Sequence, residues 1–98
     1  MKKFEILWTK SAEYDLELII QYLKLDSVSI AKEIFIDIKK ESENLYYYSQ
    51  RKRVVVELAQ IGILKYRELI YKRWRVIFKI EKQKVYILLV VDCSRNLE

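Results

Sequence analysis

The sequence has no histidine, no proline, a single glycine and a single cysteine. Without histidine, a Ser–His relay and a Cys–His pair fall away, and transition-metal binding loses its commonest ligand. The lone Cys93 has no companion for an internal disulfide or a zinc site, which agrees with a reducing compartment. Neither a metal nor a cofactor is expected. Scarce glycine and absent proline argue against a collagen-like chain or a linker, and 52% hydrophobic against 34% charged residues argues against disorder. No apolar run approaches the roughly 20 residues of a membrane span. The longest is Val85–Val91. Met1-Lys2-Lys3 leads into a charged, strand-like segment and not a signal-peptide core, so the expected location is cytoplasmic, with no membrane association. Ninety-eight residues are expected to form a single domain spanning 1–98.

Charge is present in abundance, but its sign is unevenly spread. Residues 1–49 carry a net −2 and residues 50–98 a net +7. A concentrated positive field draws a protein toward phosphate-rich or acidic partners and speeds the encounter.

Hydrophobic periodicity divides the chain. Phe4, Ile6 and Trp8 alternate with polar or smaller neighbours, which predicts a strand. Thr9 then offers an N-cap, and Ala12, Leu16, Ile19, Ile20 and Leu23 recur at helical spacing over about residues 10–25. After the polar break Asp26–Ser29, the residues Ala31, Ile34, Phe35, Ile38 and Leu45 repeat the helical stripe, predicting an antiparallel helix hairpin. Beyond Tyr46-Tyr47-Tyr48 the period changes to two. Trp74, Val76, Phe78 and Ile80 form one strand face, Val85, Ile87, Leu89 and Val91 another, and Tyr66–Tyr71 a third strand, with turns at Lys72-Arg73 and Lys82-Gln83. Val54–Leu58 is β-prone but short, and Gly62 marks a place where positive φ is easily reached. The expected fold class is α+β: an N-terminal strand, then a two-helix hairpin on one face of a small antiparallel sheet. With Trp74, Val76 and Phe78 facing the helices, Arg75 and Lys79 should emerge on the opposite face, joined there by Arg67. Replacing an emergent Arg75 by alanine should then change stability by under about 1 kcal/mol.

An ordered set of segments resembles the RelE/ParE toxins of bacterial type II toxin–antitoxin modules. It runs from Trp8-Thr9 through Ala12, Asp15-Leu16, Ile19–Tyr22 and Ala31. It continues through Val55–Leu58, Tyr66–Leu69, Trp74–Phe78, Val85–Leu88 and Asp92–Leu97. The resemblance covers nearly the whole chain and implies the strand, helix hairpin and antiparallel sheet reached from periodicity. It also implies growth inhibition, plasmid stabilisation, a cognate antitoxin, and a heterotetramer or larger complex with it. Many relatives carry a Pro- and Gly-containing turn after the second helix, where this chain reads Tyr48–Arg53. The ribosome-dependent mRNA-cleaving members often end the last strand with a proton-transferring His or Tyr, where this chain ends Ser94-Arg95-Asn96-Leu97-Glu98. That ending is closer to the ParE-like branch, whose target by resemblance is DNA gyrase. The alternatives are an mRNA interferase acting with the ribosome, or a decayed toxin that retains only antitoxin binding.

Each reading has its candidate residues. Cleavage of RNA at a ribose 2′-hydroxyl needs a base, cations around the phosphate and an acid. For a nuclease, Arg67, Arg75 and Arg95 would surround the phosphate with guanidinium forks. Glu57 is placed by resemblance as the base, against a salt bridge to a neighbouring arginine as the plainer role. The run Arg51-Lys52-Arg53, together with Arg75 and Arg95, is the candidate anion- or target-binding set. Tyr14, Leu18, Tyr22 and Leu25 give the first helix a second apolar stripe, the candidate partner-binding surface.

Overall fold

The computed structural model describes residues 3–93. Strand β1 (Glu5–Trp8) leads into helices α1 (Lys10–Lys24) and α2 (Val28–Glu43), a short α3 (Leu45–Tyr48) and a 3-10 turn at Ser49–Arg51. Then follow β2 (Arg53–Val54), a one-turn helix α4 (Val56–Ala59), β3 (Tyr66–Tyr71), β4 (Trp74–Glu81) and β5 (Lys84–Asp92). Among the described residues no helix is long and apolar enough to cross a membrane.

Caps set both long helices. The Thr9 hydroxyl accepts from the Ala12 N–H at 3.2 Å and donates to the Ile87 carbonyl at 2.8 Å, so one side chain starts α1 and ties it to β5. Ser27 caps α2 by accepting from the Ile30 N–H at 3.1 Å. Ala12, Leu16 and Ile20 of α1 meet Ala31, Ile34 and Ile38 of α2 in a core closed by Trp74, Val76 and Phe78 of β4. Phe35 does not share the stripe expected for it; it stands one position around the helix from buried Ile34 and is exposed. Leu45 is buried, but beyond the break at Asn44, in α3.

The strands form one sheet in the order β1-β5-β4-β3-β2. All neighbours are antiparallel except β1, which runs parallel to β5, Ile6 opposite Val85. The sheet is therefore mixed and not wholly antiparallel. A helical crossover between β1 and β5 permits a parallel pair, which no hairpin would. The alternation expected for β5 also breaks. Ile77 faces Leu89 while Phe78 faces Ile87, which leaves Leu88 as the extra residue of a bulge. The bulge shifts the core face by one residue, and Val85, Ile87 and Val90 are buried in place of an unbroken Val85–Val91 series.

Both hairpin turns use left-handed backbone without glycine: Lys72 at φ 52°, Lys82 at 49° and Gln83 at 65°. Val54–Leu58 divides between strand and helix. The Val55 N–H donates to the Tyr66 carbonyl at 2.9 Å, ending the ladder, and the Val55 carbonyl already accepts from Ala59 at 2.9 Å, starting α4.

Candidate functional site

Strand register decides which side chains share a face. On β3 and β4, Leu69 opposes Val76 and Tyr71 opposes Trp74 on the helix side, while Glu68 opposes Ile77 and Ile70 opposes Arg75 on the other, outer side. Arg53 of β2 stands opposite Glu68 and belongs to that outer face as well. The 55–59 segment then turns back so that Glu57 reaches Arg75.

The result, among the described residues, is a network of two guanidiniums and two carboxylates. Arg75 donates to both oxygens of Glu57 through Nη1 at 2.6 Å and Nη2 at 2.8 Å, a bidentate pair. Its Nε donates to Glu68 at 2.8 Å, and the second oxygen of Glu68 takes the Nε of Arg53 at 2.5 Å. The Glu68 side chain is 1% exposed and that of Arg75 7%. The hydrogen bond from Arg75 lowers the Glu57 carboxyl from 4.5 to about 2. In return the Glu57 bond, ahead of those from Glu68, pushes Arg75 still higher in its range, while burial pulls it back. A carboxylate so acidic, with both oxygens engaged, is a weak base at neutral pH.

Arg75 does lie on the face away from the helices, but it does not emerge there: Glu57 and Glu68 enclose it, so the small stability effect expected of an exposed arginine no longer applies. Arg67 does not join it. It opposes Phe78 in the register, hence the helix-side face, and its Nη1 donates to the Lys52 carbonyl at 2.5 Å. Arg95 lies outside the described residues. The structure thus puts Arg67 and Arg75 on opposite faces of one strand pair instead of around one phosphate. Of the basic run, exposed Arg51 stands over the Tyr48 ring at 5.1 Å, Lys52 is half-buried, and Arg53 is held by Glu68. Glu68 is the member that the sequence reading missed, although the same period-two alternation that buries Leu69 assigns it to the face of Arg75. Among the described residues no group of three or more His, Cys, Asp or Glu side chains is arranged to hold a metal.

A second feature lies on the helix layer. Tyr14, Leu18, Tyr22 and Leu25 are all exposed along α1 and its C-terminal end. Leu18 and Tyr22 also border a cleft of about 550 Å³ whose far wall is Trp74, Val91, Arg73 and Asp92. Arg73 and Asp92 pair across its mouth at 2.5 Å, and Asp15 accepts the Val90 N–H at 3.1 Å, fastening α1 to β5.

Residues 6–97 match the sequence model of the family described as the ParE toxin of type II toxin–antitoxin systems, parDE. Among solved structures, the chain is similar to one from the chromosomal ParDE TA system of P. aeruginosa. That match has a TM-score of 0.77 at 18% identity and covers 94% of this chain and 98% of the other. It is also similar to a chain of the toxin–antitoxin complex RelBE2 from Mycobacterium tuberculosis, with a TM-score of 0.66, 19% identity and 97% of each chain covered. These likenesses establish a shared fold. No curated protein matches the sequence.

Proposed function

The chain belongs to the family of ParE toxins of type II toxin–antitoxin systems, and on that premise we propose that it arrests growth by binding DNA gyrase and is held in check by a cognate antitoxin. The observation that carries the choice of target is the bidentate pair that Glu57 makes with Arg75. In a ribosome-dependent nuclease, Glu57 would have to take a proton from a ribose hydroxyl and Arg75 would have to meet the phosphate. Here both oxygens of Glu57 are taken by Arg75, with Glu57 drawn down to about 2. Arg67 stands on the other face of the sheet. An arrangement of this kind supports a scaffold for binding better than a centre for proton transfer.

The antitoxin reading is supported by the stripe Tyr14, Leu18, Tyr22 and Leu25, an apolar helix face exposed among the described residues. A segment that orders on binding suits such a face, because it can lay its own apolar residues along the helix. The test uses the purified protein in two assays: supercoiling by DNA gyrase, and translation with mapping of mRNA ends on ribosomes. Inhibited supercoiling without new mRNA ends is the expected result. Codon-dependent cuts that vanish in Glu57→Gln, with supercoiling untouched, would reverse the assignment.

A further inference from the structure

The loop from Val55 to Tyr66 is built more firmly than a connection requires. Its base is closed by the Val55–Tyr66 hydrogen bond at 2.9 Å. Inside it, Gly62 donates to the Ala59 carbonyl at 3.0 Å and Ile63 to the Leu58 carbonyl at 2.9 Å. Glu57 pins it to the sheet through Arg75. Compact loops with joined ends, held on a rigid scaffold, are suited to making contacts.

What this loop displays is apolar. Ile61 is 71% exposed and Leu64 63%, and Val56, at the start of α4, is exposed as well. Gly62, at φ 86°, turns the tip, and among the described residues nothing beyond its two chain neighbours lies within 4 Å of where a Cβ would stand. In the chain flanking this apolar tip the charge is mostly of one sign. From Arg51 to Lys65 there are four Lys or Arg residues, of which Arg53 is paired with Glu68, and one carboxylate, Glu57, which Arg75 already occupies. Arg51 and Lys65, on either side of the loop base, are exposed. The complement of such a surface is an apolar pocket with an acidic rim.

We propose that the 55–66 loop is the surface by which this toxin grips its target, a folded protein that offers an apolar pocket rimmed by acidic side chains. The proposal rests on the gyrase reading above and specifies which part of the chain makes the contact. A preformed loop loses little freedom on entering a pocket, which favours a folded partner. The long helical stripe on the other side of the sheet suits a partner that orders as it binds. Antitoxin and target therefore have separate faces.

The test compares the unmodified protein with the double variant Ile61→Ser/Leu64→Ser, both positions being exposed and outside the core. Gyrase inhibition, antitoxin affinity and melting temperature are measured on each. Inhibition is expected to weaken about ten-fold or more, as for truncated anchors at the centre of an interface, with antitoxin affinity and melting temperature unchanged. A second variant, Arg51→Glu/Lys65→Glu, should slow association with gyrase by about ten-fold at low salt. Inhibition kept within about two-fold in both variants would overturn the loop assignment while leaving the gyrase reading intact. Loss of antitoxin affinity in its place would overturn it by giving the loop to the antitoxin. An unmodified protein that leaves supercoiling untouched would overturn both the loop assignment and the gyrase reading.

Discussion

Arg75 changes meaning when its surroundings are known. As an alternating strand residue it is expected to reach solvent; in the fold it is the shared partner of Glu57 and Glu68. Removing it leaves the buried Glu68 with Arg53 and takes from Glu57 its bidentate partner, and uncompensated buried charge is among the most destabilising changes available. Arg75→Ala is expected to lower the unfolding free energy by about 3 kcal/mol in urea titration, so loss of toxicity in that variant would report lost structure. Glu57 offers a pH signature. Its folded pKa is lowered from 4.5 to about 2, so its contribution to stability is fully present above about 4.5 and is lost as pH falls through about 2. The stability difference between the unmodified protein and Glu57→Gln should stay constant from neutral pH down to about 4.5 and narrow between there and about 2, as followed by urea midpoints at each pH. None of this follows from periodicity, which assigns a side chain to a face but says nothing of what covers it.

At the level of elements, β4 carries the core, and Phe78 is wholly buried among residues of both long helices. Phe78→Ala should remove about 3 to 5 kcal/mol, visible as a large fall in melting temperature. The β4–β5 turn holds stored strain of the opposite kind. Lys82 and Gln83 both adopt left-handed φ, which asparagine and glycine tolerate better. Lys82→Asn/Gln83→Gly should therefore raise stability by about 0.5 to 1 kcal/mol in the same titration. The helices, β3 and β4 were legible because their apolar spacing is regular and their ends are marked by Thr9, Ser27 and paired polar residues. The bulge at Leu88 was not legible, because Leu88, Leu89, Val90 and Val91 are all apolar and no alternation survives to show the slip. The helical turn of α4 escaped notice because Val54, Val55 and Val56 favour strand, and only the long-range bond from Val55 to Tyr66 ends the ladder there.

Over the whole molecule, the sheet separates two surfaces of different character. The helix layer presents Tyr14, Leu18, Tyr22 and Leu25, and the outer face presents the basic, apolar-tipped loop. Charging the helix stripe should act on one partner alone. Leu18→Asp/Tyr22→Asp is expected to weaken antitoxin binding by about a hundred-fold in titration calorimetry, with melting temperature nearly unchanged because both residues are exposed. The sequence disclosed both ingredients, the stripe and the positive second half, but not their separation by a sheet, which depends on pairing between distant segments. The same long-range pairing bears on how the protein is born. β1 is completed only by β5, and the Thr9 hydroxyl that starts α1 finds its carbonyl 78 residues later, at Ile87. At about 5 to 20 residues per second, a translating ribosome takes roughly 4 to 16 s to travel between those two points. Throughout that interval β1 has no strand to pair with; the β2–β3–β4 part, which carries the outer face, needs nothing beyond Glu81, and only Lys84–Asp92 joins it to β1 and the helices.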